Sequence, residues 1–265
     1  MHPAEDLAAQ QRRLTVGALA AIGTGVVVLA MGGHAIGRAA GFDWHFSAIA
    51  LLLYLLGGAL LVTRIRAFHP FDRFGLPNAV TLSRLGIASL FAGLAQEAAL
   101  IDRPPDWVLW LFVGLAVLAL VLDGIDGALA RRFNLASPFG ARFDMEVDAL
   151  FILLLSVLVF LLDKVGAWVL LIGALRYLFV VASHAWPALS EPLPPSWRRK
   201  TVSVVQGIFL SGVLSPLIEP PLSSWIALAS LAMLSYSFAV DVAWLAARHR
   251  DQEPEAQARR DGERA

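Results

Sequence analysis

Between positions 121 and 150 the chain reads VLDGIDGALARRFNLASPFGARFDMEVDAL, with four aspartates, Asp123, Asp126, Asp144 and Asp148, set beside long apolar runs. An ionised side chain at membrane depth costs about 3 kcal/mol unless it is paired, hydrated or bound to metal, so each one is a candidate for function. At about 100° per residue, Asp126, Gly127 and Ala130 lie within roughly 60° of Asp123 on a helix, with Arg131 at the edge of that arc. On the next helix Gly140, Asp144 and Asp148 follow at four-residue intervals and form one stripe. Glu146 points to the other side and is expected to be a bystander.

Residues 133–138 make a short connection in which Ser137 suits a helix N-cap and Pro138 the first turn. So short a link makes the two helices antiparallel neighbours. Two carboxylates from each helix then converge near one membrane surface, where packed like charges repel unless a cation neutralises them. A ligand set made only of oxygens, without Cys or His, favours Mg2+ or Mn2+ over zinc. Gly127, Ala130 and Gly140 share faces with the carboxylates. Small residues there either admit a ligand close to the backbone or let helices pack tightly.

The elements that must hold these residues are set by composition. Of 265 residues, 58% are hydrophobic and 16% charged, with a mean hydropathy of +0.67, which excludes an ordinary soluble domain. Apolar stretches of membrane-spanning length recur about eight times, near 14–36, 46–62, 80–100, 107–122, 147–162, 165–186, 202–218 and 222–247. The fold class expected is all-α, a polytopic transmembrane helical bundle. Basic residues fall mainly on one side of it: Arg12 and Arg13, Arg64, Arg66 and Arg73, Arg131, Arg132 and Arg142, Arg198, Arg199 and Lys200, and the tail arginines. The opposite side has Arg38, Arg103 and Lys164. The positive-inside rule therefore puts both termini and the acidic site at the cytoplasmic face of the cytoplasmic membrane.

Cysteine is absent, which removes disulfides, thiolate nucleophiles and Cys-ligated zinc. The acidic N-terminus leads into an apolar run that suits an uncleaved first span better than a signal peptide. Three segments follow: 1–67, a tail and two additional helices; 68–248, the main membrane domain; and 249–265, a charged tail expected to be disordered. The aromatic and charged stretch 68–77 suits the bilayer interface or a plain loop. Arg176 lies inside the sixth span, where a lone guanidinium is expensive, and is expected to face a polar cavity. Arg198, Arg199 and Lys200 serve either an anionic acceptor or membrane topology alone.

The pattern Asp123-x-x-Asp126-Gly127-x-x-Ala130-Arg131, eight residues, then Gly140-x-x-x-Asp144-x-x-x-Asp148 resembles the signature of the CDP-alcohol phosphatidyltransferase family, with every defining position filled. The resemblance covers roughly 74–248 and implies a six-helix core, to which this chain adds two N-terminal helices. It further implies transfer of a phosphatidyl group from CDP-diacylglycerol to a small alcohol acceptor, with release of CMP and dependence on a pair of Mg2+ or Mn2+ ions. Asp123, Asp126 and Asp144 correspond to metal ligands. Asp148 corresponds to the general base and possible further ligand. Gly127, Ala130, Gly140 and Arg131 correspond to the nucleotide and phosphate pocket.

Pro77-Asn78-x-x-Thr81-x-x-Arg84 resembles a patch that family members set against the nucleotide lipid; otherwise Asn78 caps the third helix and Arg84 snorkels to the interface. Arg199, Lys200 and Thr201 resemble a segment of the branch that uses glycerol phosphate, although Gln206 is displaced from that branch's glutamine. Arg176 and Lys200 are the candidate acceptor ligands. Glycerol 3-phosphate or another phosphorylated polyol is the acceptor expected, in a membrane-lipid setting with no nucleic acid; a homodimer is compatible with this. A related reaction moves a phospho-head-group from a soluble CDP-alcohol to diacylglycerol through the same site. A non-catalytic relative would not need the complete acidic set. A transporter would carry its carboxylates at the midplane of broken, repeated helices, and no second half of this chain repeats the pattern.

Overall fold

The computed structural model describes residues 3–68, 74–101, 103–132, 137–191, 193–194 and 196–262. Eight α-helices follow one another: α1 Pro3–Ala40, α2 Trp44–Phe68, α3 Leu76–Ala98, α4 Asp106–Arg132, α5 Pro138–Leu161, α6 Leu170–Ala185, α7 Trp197–Leu214 and α8 Leu222–Gly262. No strand occurs among the described residues. Six helices, all but α5 and α7, are long and apolar enough to cross a membrane by length and composition. The other two are where charge concentrates: α5 carries Arg142, Asp144, Glu146 and Asp148 in its first half, and α7 opens on Arg198, Arg199 and Lys200. The chain is thus an integral membrane protein whose eight expected spans are eight helices, two of them modified by the charges of a site.

Two boundaries differ from the hydropathy reading, because apolar length ends before helix propensity does. α4 runs on to Arg132 rather than stopping near Leu122, so the first pair of aspartates sits on its last turns. α8 continues past Ala247 to Gly262, a stretch whose Glu, Gln, Ala and Arg are good helix formers. The interfacial stretch 69–73 lies outside the described residues.

The bundle is organised around α3, which packs on α1, α2, α4 and α5. In its most apolar window 72% of residues are buried, against 28% in α1, α2, α4 and α8, so α3 meets protein where its neighbours meet lipid. Glycines permit the approach. A side chain at Gly57 of α2 would press on Leu85 at 2.6 Å, and Gly86 of α3 faces the ring of Tyr54. Phe46, Phe91, Phe112 and Phe151, from α2, α3, α4 and α5, form an edge-to-face chain with successive centroid distances of 6.5 Å (Phe46–Phe112), 4.9 Å (Phe91–Phe112) and 5.2 Å (Phe91–Phe151).

At the end remote from the aspartates the turns are tied by charge. Buried Lys164 donates to the carbonyls of Ser215 and Ile218, both at 2.9 Å, and to Glu219 at 2.8 Å. Ser223 Oγ donates in turn to the Lys164 carbonyl. This fastens the α5–α6 connection to the α7–α8 connection and fixes the depth of those four helices.

At the junction of α5 with α6 the backbones themselves are close: a Cβ at Gly173 would overlap the backbone Cα of Leu153. Backbone cannot rotate away as a side-chain tip can, so Gly173→Val is expected to lower stability by about 1–3 kcal/mol. Thermal unfolding in detergent, compared with Gly114→Val, where no atom lies within 4 Å of the added Cβ, measures the difference.

Candidate active site

Local sequence sets up the acidic pair of helices as the spacing predicts. Ser137 is the N-cap of α5, its hydroxyl accepting from Gly140 N at 2.9 Å, and Pro138 occupies the first turn. The fold brings together Asp123 from α4 with Asp144 and Asp148 from α5. One carboxylate oxygen from each lies within 4.8 Å of the others. At that separation and an effective dielectric of about 20, each like-charge pair costs about 3 kcal/mol, so the cluster requires a countercharge. Three converging hard oxygens suit a divalent cation, and these residues can hold one. The side chains of Asp126, Ala130 and Arg131 lie outside those described, although α4 carries all three positions.

The countercharge supplied by the protein is Arg84 of α3. Its Nη1 pairs with Asp123 at 3.1 Å and with Asp144, and its Nη2 pairs with Asp148. The side chain is 4% exposed, so Arg84 does not snorkel; it is bound between α3, α4 and α5. Nor does Asn78 cap α3. That position is Gly75, whose φ of +76° suits glycine, while Pro77 lies in the first turn. Asn78 instead donates to the carbonyl of Phe74, and Thr81 to that of Pro77 at 3.1 Å. Asn78, Thr81 and Arg84 recur every three residues on a buried face of α3.

Gly140 is explained by the same contact, because a Cβ there would meet Asn78 Oδ1 at 3.0 Å and Ser137 Oγ at 3.1 Å. Close helix packing is therefore what this glycine permits. Gly127, by contrast, lines a cavity.

That cavity, about 720 Å3, opens beside the carboxylates and is enclosed by α4 to α8. Asp123, Asp144 and Asp148 form one wall; Arg176, Arg199 and Lys200 lie on it as well, from α6 and α7. Asn78, Thr81, Arg84 and Gly140 stand behind the acidic wall and do not line the space. Arg199 pairs with Asp241 at 3.1 Å, and Arg198 pairs with the same carboxylate at 2.6 Å while donating to Ser237. The two arginines therefore do more than set topology, since they lock α7 to α8.

Glu146 is not a bystander. It meets Arg176 at 2.6 Å across the α5–α6 interface.

Asp241 and Gln206 are lining residues that sequence reasoning missed or set aside. Asp241 is a charge inside the last apolar run, the same signal that singled out Arg176. Gln206 is 4% exposed, and its Nε2 meets no acceptor among the described residues. Only the fold turns it toward a cavity.

A bundle of eight helices, six of them long and apolar enough to cross a membrane, with a cation-competent carboxylate cluster beside a cavity, defines an integral membrane protein with a polar site in its bundle. Residues 74–237, more than half of the chain and spanning α3 into α8, match the CDP-alcohol phosphatidyltransferase family, and the chain belongs to that family. The chain is 50% identical over 46 residues to human ethanolaminephosphotransferase 1, a stretch that is 17% of this chain and 11% of that protein. It is 32% identical over 98 residues to a CDP-diacylglycerol–glycerol-3-phosphate 3-phosphatidyltransferase from Cereibacter sphaeroides, covering 37% of this chain and 42% of the relative. A protein of the same name from Pseudomonas fluorescens is 28% identical over 174 residues, 62% of this chain and 80% of the relative. No solved structure matches the chain.

Removing the guanidinium tests the charge balance. Arg84→Gln is expected to destabilise the protein in EDTA by about 2–3 kcal/mol, less than the roughly 3–5 kcal/mol for breaking a fully buried pair because the carboxylates are partly exposed. Added Mg2+ or Mn2+ should recover much of the loss in thermal unfolding, and by more than the same ions stabilise the unaltered protein.

Proposed function

We propose that the protein transfers a phosphatidyl group from CDP-diacylglycerol to a hydroxyl of a small phosphorylated polyol, with glycerol 3-phosphate the first candidate, and releases CMP. The observation that carries this reading is a single cavity that joins the Asp123, Asp144 and Asp148 carboxylates to the cationic side chains of Arg176, Arg199 and Lys200. An acidic wall suits metal-assisted handling of a diphosphate, and a basic wall suits an anionic acceptor. Asp148 takes the proton of the acceptor hydroxyl as its oxygen bonds to the phosphorus that bears the diacylglycerol. The bond from that phosphorus to the bridging oxygen breaks, and CMP departs with that oxygen.

Divalent ions held by Asp123, Asp126, Asp144 and Asp148, Mg2+ or Mn2+ as a pair, supply positive charge to the diphosphate oxygens when bound. Gly127 leaves room for the nucleotide near the α4 backbone, with Ala130 and Arg131 assigned beside it. Arg84 holds the carboxylates in register, and Asn78, Thr81 and Gly140 fit α3 to α5 behind them. Arg176 and Lys200 bind the acceptor phosphate. The excess of basic residues at this end of the bundle supports a site facing the cytoplasm of a cytoplasmic membrane.

A second reading, transfer of a phospho-head-group from a soluble CDP-alcohol to diacylglycerol, is favoured by the likeness to human ethanolaminephosphotransferase 1 over 46 residues. Product analysis separates the two. Purified protein given labelled CDP-diacylglycerol, Mg2+ and a panel of alcohols should form a phosphorylated polyol lipid and CMP; product only from CDP-ethanolamine or CDP-choline with diacylglycerol selects the second reading. Asp144→Asn and Asp148→Asn should each reduce CMP release by about 10²-fold or more, and EDTA should abolish it reversibly. Full CMP release by either variant would remove that residue from the mechanism.

A further inference from the structure

Arg176 sits at the middle of a helix long and apolar enough to cross the membrane, in the wall of the cavity, and its placement is set from two directions. Three residues earlier, Gly173 brings α6 against the backbone of α5 at Leu153. Toward the site end of α5, Glu146 Oε1 accepts from Arg176 Nη2 at 2.6 Å. The Arg176 Nε–H is buried and meets no acceptor among the described residues. One edge of the guanidinium is thus anchored by a carboxylate, while a buried donor on the same group lacks a partner. Glu146 belongs to the helix that presents Asp144 and Asp148, so one turn of α5 holds the acidic wall with one face and the arginine with the other.

Resting on the reading of this cavity as an acceptor site, we infer that Glu146 is a positioning residue for acceptor binding. By holding one terminal nitrogen of Arg176 it keeps the remaining N–H donors at a fixed height above Asp148, where an anionic oxygen of the acceptor completes their hydrogen bonding. A guanidinium is planar and its donors are fixed relative to one another, so anchoring one edge orients the others. Without Glu146 the charge of Arg176 remains but its direction is lost. The effect falls on the acceptor and spares CDP-diacylglycerol.

The test uses the full-length protein in detergent with Mg2+ and follows thermal stabilisation by glycerol 3-phosphate, and separately by CDP-diacylglycerol, as a function of concentration. Glu146→Gln, which keeps shape and removes charge, should weaken glycerol 3-phosphate binding about tenfold and leave the lipid titration unchanged. Glu146→Asp, which retains the carboxylate one methylene short, should fall between and carries the test should the glutamine variant not fold. Arg176→Ala should abolish the titration, with Glu146→Gln adding nothing to it in the double variant.

Equal binding by wild type and Glu146→Gln overturns the inference, as does a parallel loss of affinity for CDP-diacylglycerol, which marks a merely structural role. Absence of glycerol 3-phosphate binding by the wild type overturns the acceptor reading itself, and this inference with it.

Discussion

Three carboxylates within 4.8 Å of one another cannot share a membrane-embedded site without positive charge among them, and the rest of the architecture follows from how that charge is supplied. Arg84 reaches all three from α3. To carry a buried arginine at that depth, α3 must be shielded from lipid along its length, and it is enclosed by α1, α2, α4 and α5. α1 and α2, which precede the part of the chain that matches the family, thereby acquire a structural role. They complete the protein environment of the helix that balances the site.

Much of this was legible in the chain because membrane burial leaves few ways to place a charge. The placement of Gly140, Asp144 and Asp148 on one helix and the Ser137 cap are consequences of helical period and capping chemistry, both local, and the structure reproduces them; the link 133–136 lies outside the described residues. Arg84 was legible as a charge in an apolar helix but not as the partner of three aspartates 39 to 64 positions away, because helix order in sequence does not specify which faces meet. Glu146 was misread for the same reason. It does point away from the stripe, yet the direction it takes leads to α6. Asp241 carried a usable signal, a carboxylate inside the last apolar run, and Gln206 carried none that spacing could disclose.

The cavity separates two kinds of electrostatic order. On the aspartate side the charges are crowded and require an added cation or Arg84. Around Arg176, Arg198 and Arg199 three guanidiniums are paired with two carboxylates, Glu146 and the shared Asp241, so positive charge is left over on that side. These pairs tie α6 to α5 and α7 to α8, so the helices are held by charges that also shape the space. Lys164 and Glu219 perform the equivalent task at the far end, and the α5 to α8 half of the bundle is held at both ends.

The enclosure of α3 bears on how the chain enters the bilayer. With Arg84 and Glu97 in a segment of hydropathy 1.3, against 2.2 for each of the two helices before it, α3 is a poor candidate to partition into lipid by itself. α1 and α2 precede α3 in the chain, and their glycines Gly33 and Gly57 face Leu90 and Leu85 of α3. The two leading helices thus supply, ahead of α3 in chain order, a protein surface against which this less apolar helix packs.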